Sequence, residues 1–280
     1  MLLNRKFKWV SHKQESDIKN IKNLVSTIAE EKNITYFIEP FSGGVSTAVK
    51  ITPILVKYGV KNVIVNNVSL IVSNTFNYII NNVEDIFEEY WKYEKELTNI
   101  VNSNSNHSIE DLRIKMRDYY ENKRIIFNKN VYDSSLEHCA LFLFLVNRSL
   151  NLIYAVNSKE EYVAPFSGDV YLFSKQSRRK TFLEYHYALC NFNVIFEKMN
   201  HFNFIDKYKK YHKEAIFYFD PDNFDKVLDD SFKLNFENSI IQFYKILENL
   251  IINKNNHNNL SEEFIVNNKF KNNNNFIFKF

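Results

Sequence analysis

Apolar positions recur along this chain with two different spacings, and their alternation lays out an α/β protein. From 16 to 32, Ile18, Ile21, Leu24, Val25 and Ile28 share one face of a helix, with Lys and Glu on the other. An apolar, β-prone run follows, Tyr36-Phe37-Ile38, and ends in Glu39-Pro40-Phe41. A small-residue turn, Ser42-Gly43-Gly44, leads into helix-compatible sequence over 46–58, where Pro53 is expected to bend the helix or mark a second start. Residues 61–67 (KNVIVNN) read as a second strand. Strand, turn, helix, strand at this spacing predicts a parallel, doubly wound sheet with its ligand at the C-terminal ends of the strands.

The next block changes period. Residues 70–101, 108–122 and 134–148 read as helices, with the Ser- and Asn-rich stretch 102–108 as a loop. Strands return at 192–197 and 215–220, and a helix is expected from about 231 to 252. The stretches 253–259 (NKNNHNN) and 271–275 (KNNNN) are polar low-complexity loops, and no internal repeat is visible.

Composition narrows the class. With 280 residues, 45% hydrophobic and 16% aromatic, the chain can bury a sizeable core and is not of disordered composition. Residues with A/T-rich codons dominate, so part of the composition reflects genome bias. A net charge of +3 permits nucleic-acid binding without requiring it. Cys139 and Cys190 make neither a disulfide framework nor a metal box, so an intracellular, cytoplasmic protein is expected. Met1 to Lys13 lacks the apolar centre of a signal peptide, and the run Ala140–Val146 is too short to span a bilayer, so no membrane association is expected. His107, His138, His186 and His257 are scattered, and no metal site is expected.

Two turns carry candidate chemistry. Gly43 and Gly44 let a backbone approach a nucleoside closely, and the helix N-terminus behind them favours an anionic group such as a carboxylate. A Gly-Gly turn also suits an ordinary strand–helix connection. Asp220-Pro221-Asp222-Asn223 follows the apolar run Phe217-Tyr218-Phe219, and these residue types equally suit a plain β-turn. The run Lys175-Gln176-Ser177-Arg178-Arg179-Lys180 suits phosphate contact, and suits a solvated surface loop as well. Lys207–Lys213 reads as an exposed connection before the last of these strands.

The wording of these segments adds a resemblance. Glu39-Pro40-Phe41-Ser42-Gly43-Gly44 resembles the S-adenosylmethionine motif EPFxGGGS of the Dam-like class of adenine-specific DNA methyltransferases. Phe7-Lys8-Trp9-Val10-Ser11-His12-Lys13 is similar to that family's opening Lys-Trp-x-Gly-Gly-Lys, with Ser11 and His12 in the glycine places. Residues 145–168 follow the framework of a longer family phrase through Asn147, Asn151, Tyr154, Val156-Asn157, Glu161, Pro165-Phe166 and Gly168. Asp220-Pro221 resembles the start of the catalytic DPPY loop, and Glu262–Asn268 resembles the last strand. The segments stand in the family's order along nearly the whole chain.

The resemblance implies a Rossmann-like methyltransferase sheet built from 1–70 and 190–280, with a mostly helical target-recognition insert over 71–189. It implies S-adenosylmethionine as cofactor, held by Trp9, Lys13, Glu39, Pro40, Phe41, Gly43, Gly44 and Asn67. It implies double-stranded DNA as partner, contacted by Lys175, Arg178, Arg179, Lys180 and Asn157, and adenine N6 methylation at Asp220, Pro221, Asn223 and Phe224. A partner restriction enzyme and a monomeric chain belong to the same expectation. The departures are Val45 after the glycines, Asn67 for an Asp, Ala155 for an Arg, and Asp222-Asn223 for Pro-Tyr. They point to weak methylation, or alternatively to an inactive nucleic-acid-binding or partner-binding module.

Overall fold

The computed structural model describes residues 15–31, 33–40, 45–66, 69–104, 106–152, 154–199, 201–211, 213–219, 263–264 and 276–279. In chain order the elements are α1 (Glu15–Glu31), β1 (Tyr36–Glu39), α2 (Ser46–Lys57), β2 (Asn62–Asn66), α3 (Leu70–Asn81) and α4 (Val83–Asn102). Then come α5 (Ile109–Asn128), α6 (Leu136–Arg148), α7 (Lys175–Leu189), β3 (Asn193–Glu197), α8 (His201–Tyr208), β4 (Ala215–Phe219), β5 (Glu263–Phe264) and β6 (Phe276–Lys279). Two compact units divide them: residues 69–190 belong to a helical unit, and residues 13–68 and 191–280 to a sheet unit.

The sheet unit owes its form to short runs of buried apolar residues. Phe37, Ile38, Val63, Ile64, Val65, Ile216, Phe217 and Tyr218 are all buried, the near-continuous pattern of parallel strands covered on both faces. The strand order is β3-β2-β1-β4-β6-β5. Pairing is parallel from β3 through β2, β1 and β4 to β6, and β5 closes the edge antiparallel to β6. From β1 the chain steps outward through β2 to β3, then returns to lay β4 on the other side of β1. That reversal creates a switch point between β1 and β4, the place where open α/β sheets bind their ligands. The start of this pair is pinned: Thr35 and Tyr36 N–H both donate to the Glu214 carbonyl, and Thr35 Oγ1 donates to the Glu214 carboxylate at 2.9 Å.

Helices α1 and α2 pack together, α1 burying Ile21 and Val25 and α2 burying Ala48, Ile51 and Leu55. Helix α2 runs through Pro53 as one element. The proline costs it the helical bond that the Val49 carbonyl would accept.

The helical unit is organised round α6, where every residue from His138 to Arg148 is buried. The apolar run there is therefore a core helix packed on α3, α4 and α5. Ser108 caps α5 in a reciprocal capping box with Asp111, and Ser135 and Ser174 cap α6 and α7 through their hydroxyls. The helix expected over 70–101 is two helices, broken at Asn82, whose backbone (φ −142, ψ 48) leaves the helical region. Helix α5 runs six residues past its expected end at 122. Residues 175–180 are the first turns of α7, not a loop, and the expected connection at 207–213 begins as the last two residues of α8 and continues as a 3-10 turn over Lys209–Tyr211. The expected helix at 231–252 and the polar stretches 253–259 and 271–275 lie outside the described residues.

Candidate active site

Parallel pairing places the ends of β1 and β4 side by side. Tyr36 faces Ala215, Phe37 faces Ile216 and Ile38 faces Phe217, so Glu39-Pro40 and the chain entering Asp220 leave the same edge of the sheet. Asp220, Pro221, Asn223 and Phe224 themselves lie outside the described residues, as do Trp9, Lys13, Phe41, Gly43, Gly44 and Asn67. What is described is the frame around them.

Glu39 is 3% exposed at the end of β1, and Pro40 is buried behind it. Helix α2 begins six residues later, at Ser46, with buried Val45 as its N-cap and, among the described residues, no side-chain cap bond. Its first turn contains no acidic residue. A helix start of this kind, just past a strand end, suits a carboxylate or another anionic group.

Asn66 closes β2 and is 3% exposed. Its Nδ2 donates to the Pro40 carbonyl at 3.2 Å and to the Met199 carbonyl at 2.9 Å, while its Oδ1 accepts from the Met199 N–H at 3.1 Å. One amide therefore ties the exits of β1 and β3 to the end of β2. Sequence reasoning chose Asn67 and passed over Asn66, because the partner segment is 133 residues away. At the end of β3, Glu197 accepts from Lys207 Nζ at 2.6 Å and from the Tyr208 hydroxyl. Burial alone would raise its pKa, but these two donors hold the carboxyl below its ordinary range.

The residues expected to meet DNA divide sharply. Arg178 is 4% exposed, its guanidinium lies 3.3 Å from the centre of the Phe173 ring, and it donates to Asn147 Oδ1 at 3.4 Å. It is an interior residue, which corrects its assignment to phosphate contact. Its neighbours are exposed: Lys175 pairs with Glu88 at 2.8 Å, Arg179 with Glu84 at 2.5 Å, and Lys180 stands 4.0 Å from Glu184. Residues 69–190 hold fourteen Lys and Arg against sixteen Asp and Glu, so this stretch of the chain carries no basic surplus for DNA. Asn157 builds its own turn: Oδ1 accepts from Lys159 N–H and Glu161 N–H, and Nδ2 donates to the Glu161 carboxylate. That turn closes a small antiparallel hairpin through the bridge Val156–Tyr162, with Glu160 at φ 63.

Arg148, also unforeseen from sequence, lies in the same interior. It donates to both carboxylate oxygens of Glu94 and, at 2.8 Å, to the Tyr171 carbonyl. Its guanidinium lies 4.1 Å from the Phe173 ring centre, so that ring sits against two arginines. The Tyr90 hydroxyl donates to Glu94 at 2.8 Å; burial and then the Glu94 charge push its pKa well above the usual value. This network joins α4, α6, α7 and the irregular segment before α7. Among the described residues no group of three or more His, Cys, Asp and Glu could hold a metal ion, and no helix is long and apolar enough to cross a membrane.

Comparison with known families bears on this frame directly. A family model described as D12 class N6 adenine-specific DNA methyltransferase matches residues 18–222. The match runs from α1 through both strand exits and into the Asp220 loop. No curated protein matches the chain.

Proposed function

Since the chain belongs to the D12 class of N6 adenine-specific DNA methyltransferases, we propose that the edge shared by β1 and β4 is where it methylates adenine. The family's reaction is methylation of the N6 amine of adenine in DNA, and its methyl donor is S-adenosylmethionine. The single observation that supports this placement is the β1–β4 register, which sends Glu39-Pro40 and the Asp220 loop out of neighbouring parallel strands. The residues present fit that cofactor: a buried carboxylate on β1, an uncapped helix start with no acidic residue, and a glycine turn between them.

In this reading Glu39, Pro40, Phe41, Gly43 and Gly44 hold the cofactor, with Asn67, Trp9 and Lys13 beside them. S-adenosylmethionine supplies an electrophilic methyl group on a sulfonium. The chain's own residues prepare the nucleophile. The exocyclic amine of adenine is a poor one, because its lone pair is delocalised into the ring. The Asp220 carboxylate and the Pro221 carbonyl accept hydrogen bonds from that amine and direct its lone pair outward. The base must leave the duplex to reach them. Asn223, where the family has an aromatic residue, stacks poorly on an extruded base, and Phe224 is the nearest ring. Loss of about 1–3 kcal/mol of stacking per base lowers the rate roughly five- to 150-fold. Lys175, Arg179 and Lys180 supply the phosphate contacts available on α7.

Isothermal titration with S-adenosylmethionine and transfer of labelled methyl groups to A/T-rich duplex DNA test the reading. Binding by the natural chain, lost in Gly43→Val, is expected. Slow methyl transfer, abolished by Asp220→Ala and raised by Asp222→Pro with Asn223→Tyr, is expected as well. Methylation that survives Asp220→Ala would rule out this loop as the catalytic one.

A further inference from the structure

We propose that Asn128, at the end of α5, is a positioning residue that holds the hairpin of residues 155–163 in one shape for duplex DNA without touching the DNA. The proposal rests on the reading that the chain binds DNA and that the turn built by Asn157 meets it.

The hairpin's own bonds leave two main-chain groups open, and Asn128 takes both. Val163 N–H donates to the Ala155 carbonyl at 2.9 Å, and Asn157 N–H donates to the Glu161 carbonyl at 3.0 Å. Between these two bonds Val156 and Tyr162 form a bridge. A pair in that place of an antiparallel ladder exchanges no bonds of its own, so the N–H and carbonyl of each residue point outward. On the Tyr162 side one amide meets the two groups. Asn128 Oδ1 accepts from Tyr162 N–H at 2.8 Å, and Asn128 Nδ2 donates to the Tyr162 carbonyl at 3.0 Å. Asn128 thus stands where a third strand would. A two-stranded hairpin alone is marginal in water, and this amide ties it to a helix.

The tie continues along α5, where Arg113, Tyr120, Arg124 and Asn128 share one face at helical spacing. The Tyr120 hydroxyl donates to the Ala164 carbonyl at 2.8 Å, and Arg124 Nη1 donates to the Val163 and Ala164 carbonyls at 3.1 and 3.2 Å. Arg113 Nε donates to the Gly168 carbonyl at 2.8 Å. The chain leaving the hairpin therefore runs antiparallel to the helix. Bonds to main-chain carbonyls fix a backbone path whatever side chains that path carries, which is what a presented binding loop requires. At the tip Ser158 and Lys159 are exposed. Glu160, exposed beside them, offsets the lysine's charge, so the hairpin acts by its position more than by net charge. Without Asn128 the hairpin must be ordered when DNA arrives, and affinity falls by that cost.

The test is a double-mutant cycle in the full chain, read by affinity for A/T-rich duplex DNA over a range of salt, with S-adenosylmethionine titration and kinetics alongside. Asn128→Ala is expected to weaken DNA affinity about fivefold and to raise KM for DNA in parallel. Cofactor affinity, and kcat at saturating DNA, should stay within about twofold of wild type. Lys159→Gln alone should make the slope of log affinity against log salt shallower by about 0.9. In the Asn128→Ala background Lys159→Gln should change little, because a hairpin no longer held in place has already lost that contact. Additive losses overturn the proposal, since the two side chains then act independently. So does unchanged DNA affinity in Asn128→Ala, or a loss of cofactor affinity in step with that for DNA, which is what a purely structural residue gives. If Asn128→Ala does not fold, Asn128→Asp, which keeps the shape and the acceptor but loses the donor, runs the same cycle. Salt-dependent DNA binding by wild type that Lys159→Gln leaves unaltered refutes the hairpin contact while the DNA reading stands. Absence of duplex binding by wild type overturns both.

Discussion

The two units bury polar side chains to opposite ends. In the helical unit, Glu94, Arg148, Arg178, Asn147 and His138 lie within the bundle, and the bonds around Arg148 run between its own elements. In the sheet unit, Glu39, Asn66, Ser46 and Thr47 gather at one edge, where β1 and β2 end and α2 begins. A buried charge by itself therefore does not mark a site. The helical network answers its charges internally and specifies a packing arrangement, while the sheet unit collects polar groups where its strands stop, the edge proposed above as the site.

The sharpest way to break this contrast is to remove one partner of the helical network. Glu94→Ala leaves the buried Arg148 guanidinium without its carboxylate and should cost about 3–5 kcal/mol in denaturant unfolding. Replacing both, Glu94→Leu with Arg148→Met, should recover most of that loss, because an apolar pair needs no partner. If the double variant is as unstable as the single one, charge satisfaction is not what the pair contributes. Under conditions where the single variant is folded, cofactor affinity should match wild type.

Phe173→Ala takes away the ring that both arginines face and should cost about 2 kcal/mol. Cofactor affinity should again be unaffected, and a large fall in it would dissolve the distinction between the two units.

A smaller effect comes from His138, buried in α6 and stacked on Phe127 with ring centres 4.2 Å apart. Burial lowers its pKa below the ordinary 6.5, against a weaker upward pull from Asp133. The unfolded chain then binds a proton that the folded chain resists. This contribution to stability is complete above pH 6.5 and is lost as pH falls through the histidine range. His138→Phe, which keeps the stacked ring, should flatten the dependence of the unfolding midpoint on pH between about 7 and 5. An unchanged slope would exclude His138 as its source.

The smallest stability effects lie on the outer face of α7, and they set two adjacent arginines apart. Arg179→Gln removes an exposed ion pair and should change stability little. If Arg179 contacts phosphate, the slope of log affinity for DNA against log salt should become shallower by about 0.9. Arg178→Gln should leave that slope unchanged and destabilise the fold instead. The reverse result would overturn the division of this run into interior and surface residues.

Why some of this was legible in the sequence and some was not follows from where each residue finds its partners. Strands β1 to β4 and helices α1, α2 and α6 came from local periodicity, and the order of the two candidate turns came from short segments. Helix α7 was hidden. Arg178, Phe182, Tyr185 and Leu189 form its buried face at helical spacing, but an arginine holds the first place and the run reads as polar. Helix α8 was masked in the same way by the lysines around Tyr208. The break at Asn82 is announced in the sequence by nothing but the pair Asn81-Asn82. Asn66 and Arg148 could not be found at all, because their partners stand far away in sequence.

The pairing of β1 with β4 also fixes when this protein can fold. Thr35 and Glu214 are 179 residues apart, and residues 69–190 of the helical unit stand in the chain between them. During synthesis β1 and β2 emerge early, yet β1 lacks one neighbour until more than 170 further residues have been made. Through that interval its apolar edge, Tyr36-Phe37-Ile38, has no β4 to cover it. Residues 69–190, rich in contacts between neighbouring helices, stand within the loop that this pairing must close. A chain cut short before residue 215 would lack the β1–β4 edge where chemistry is proposed.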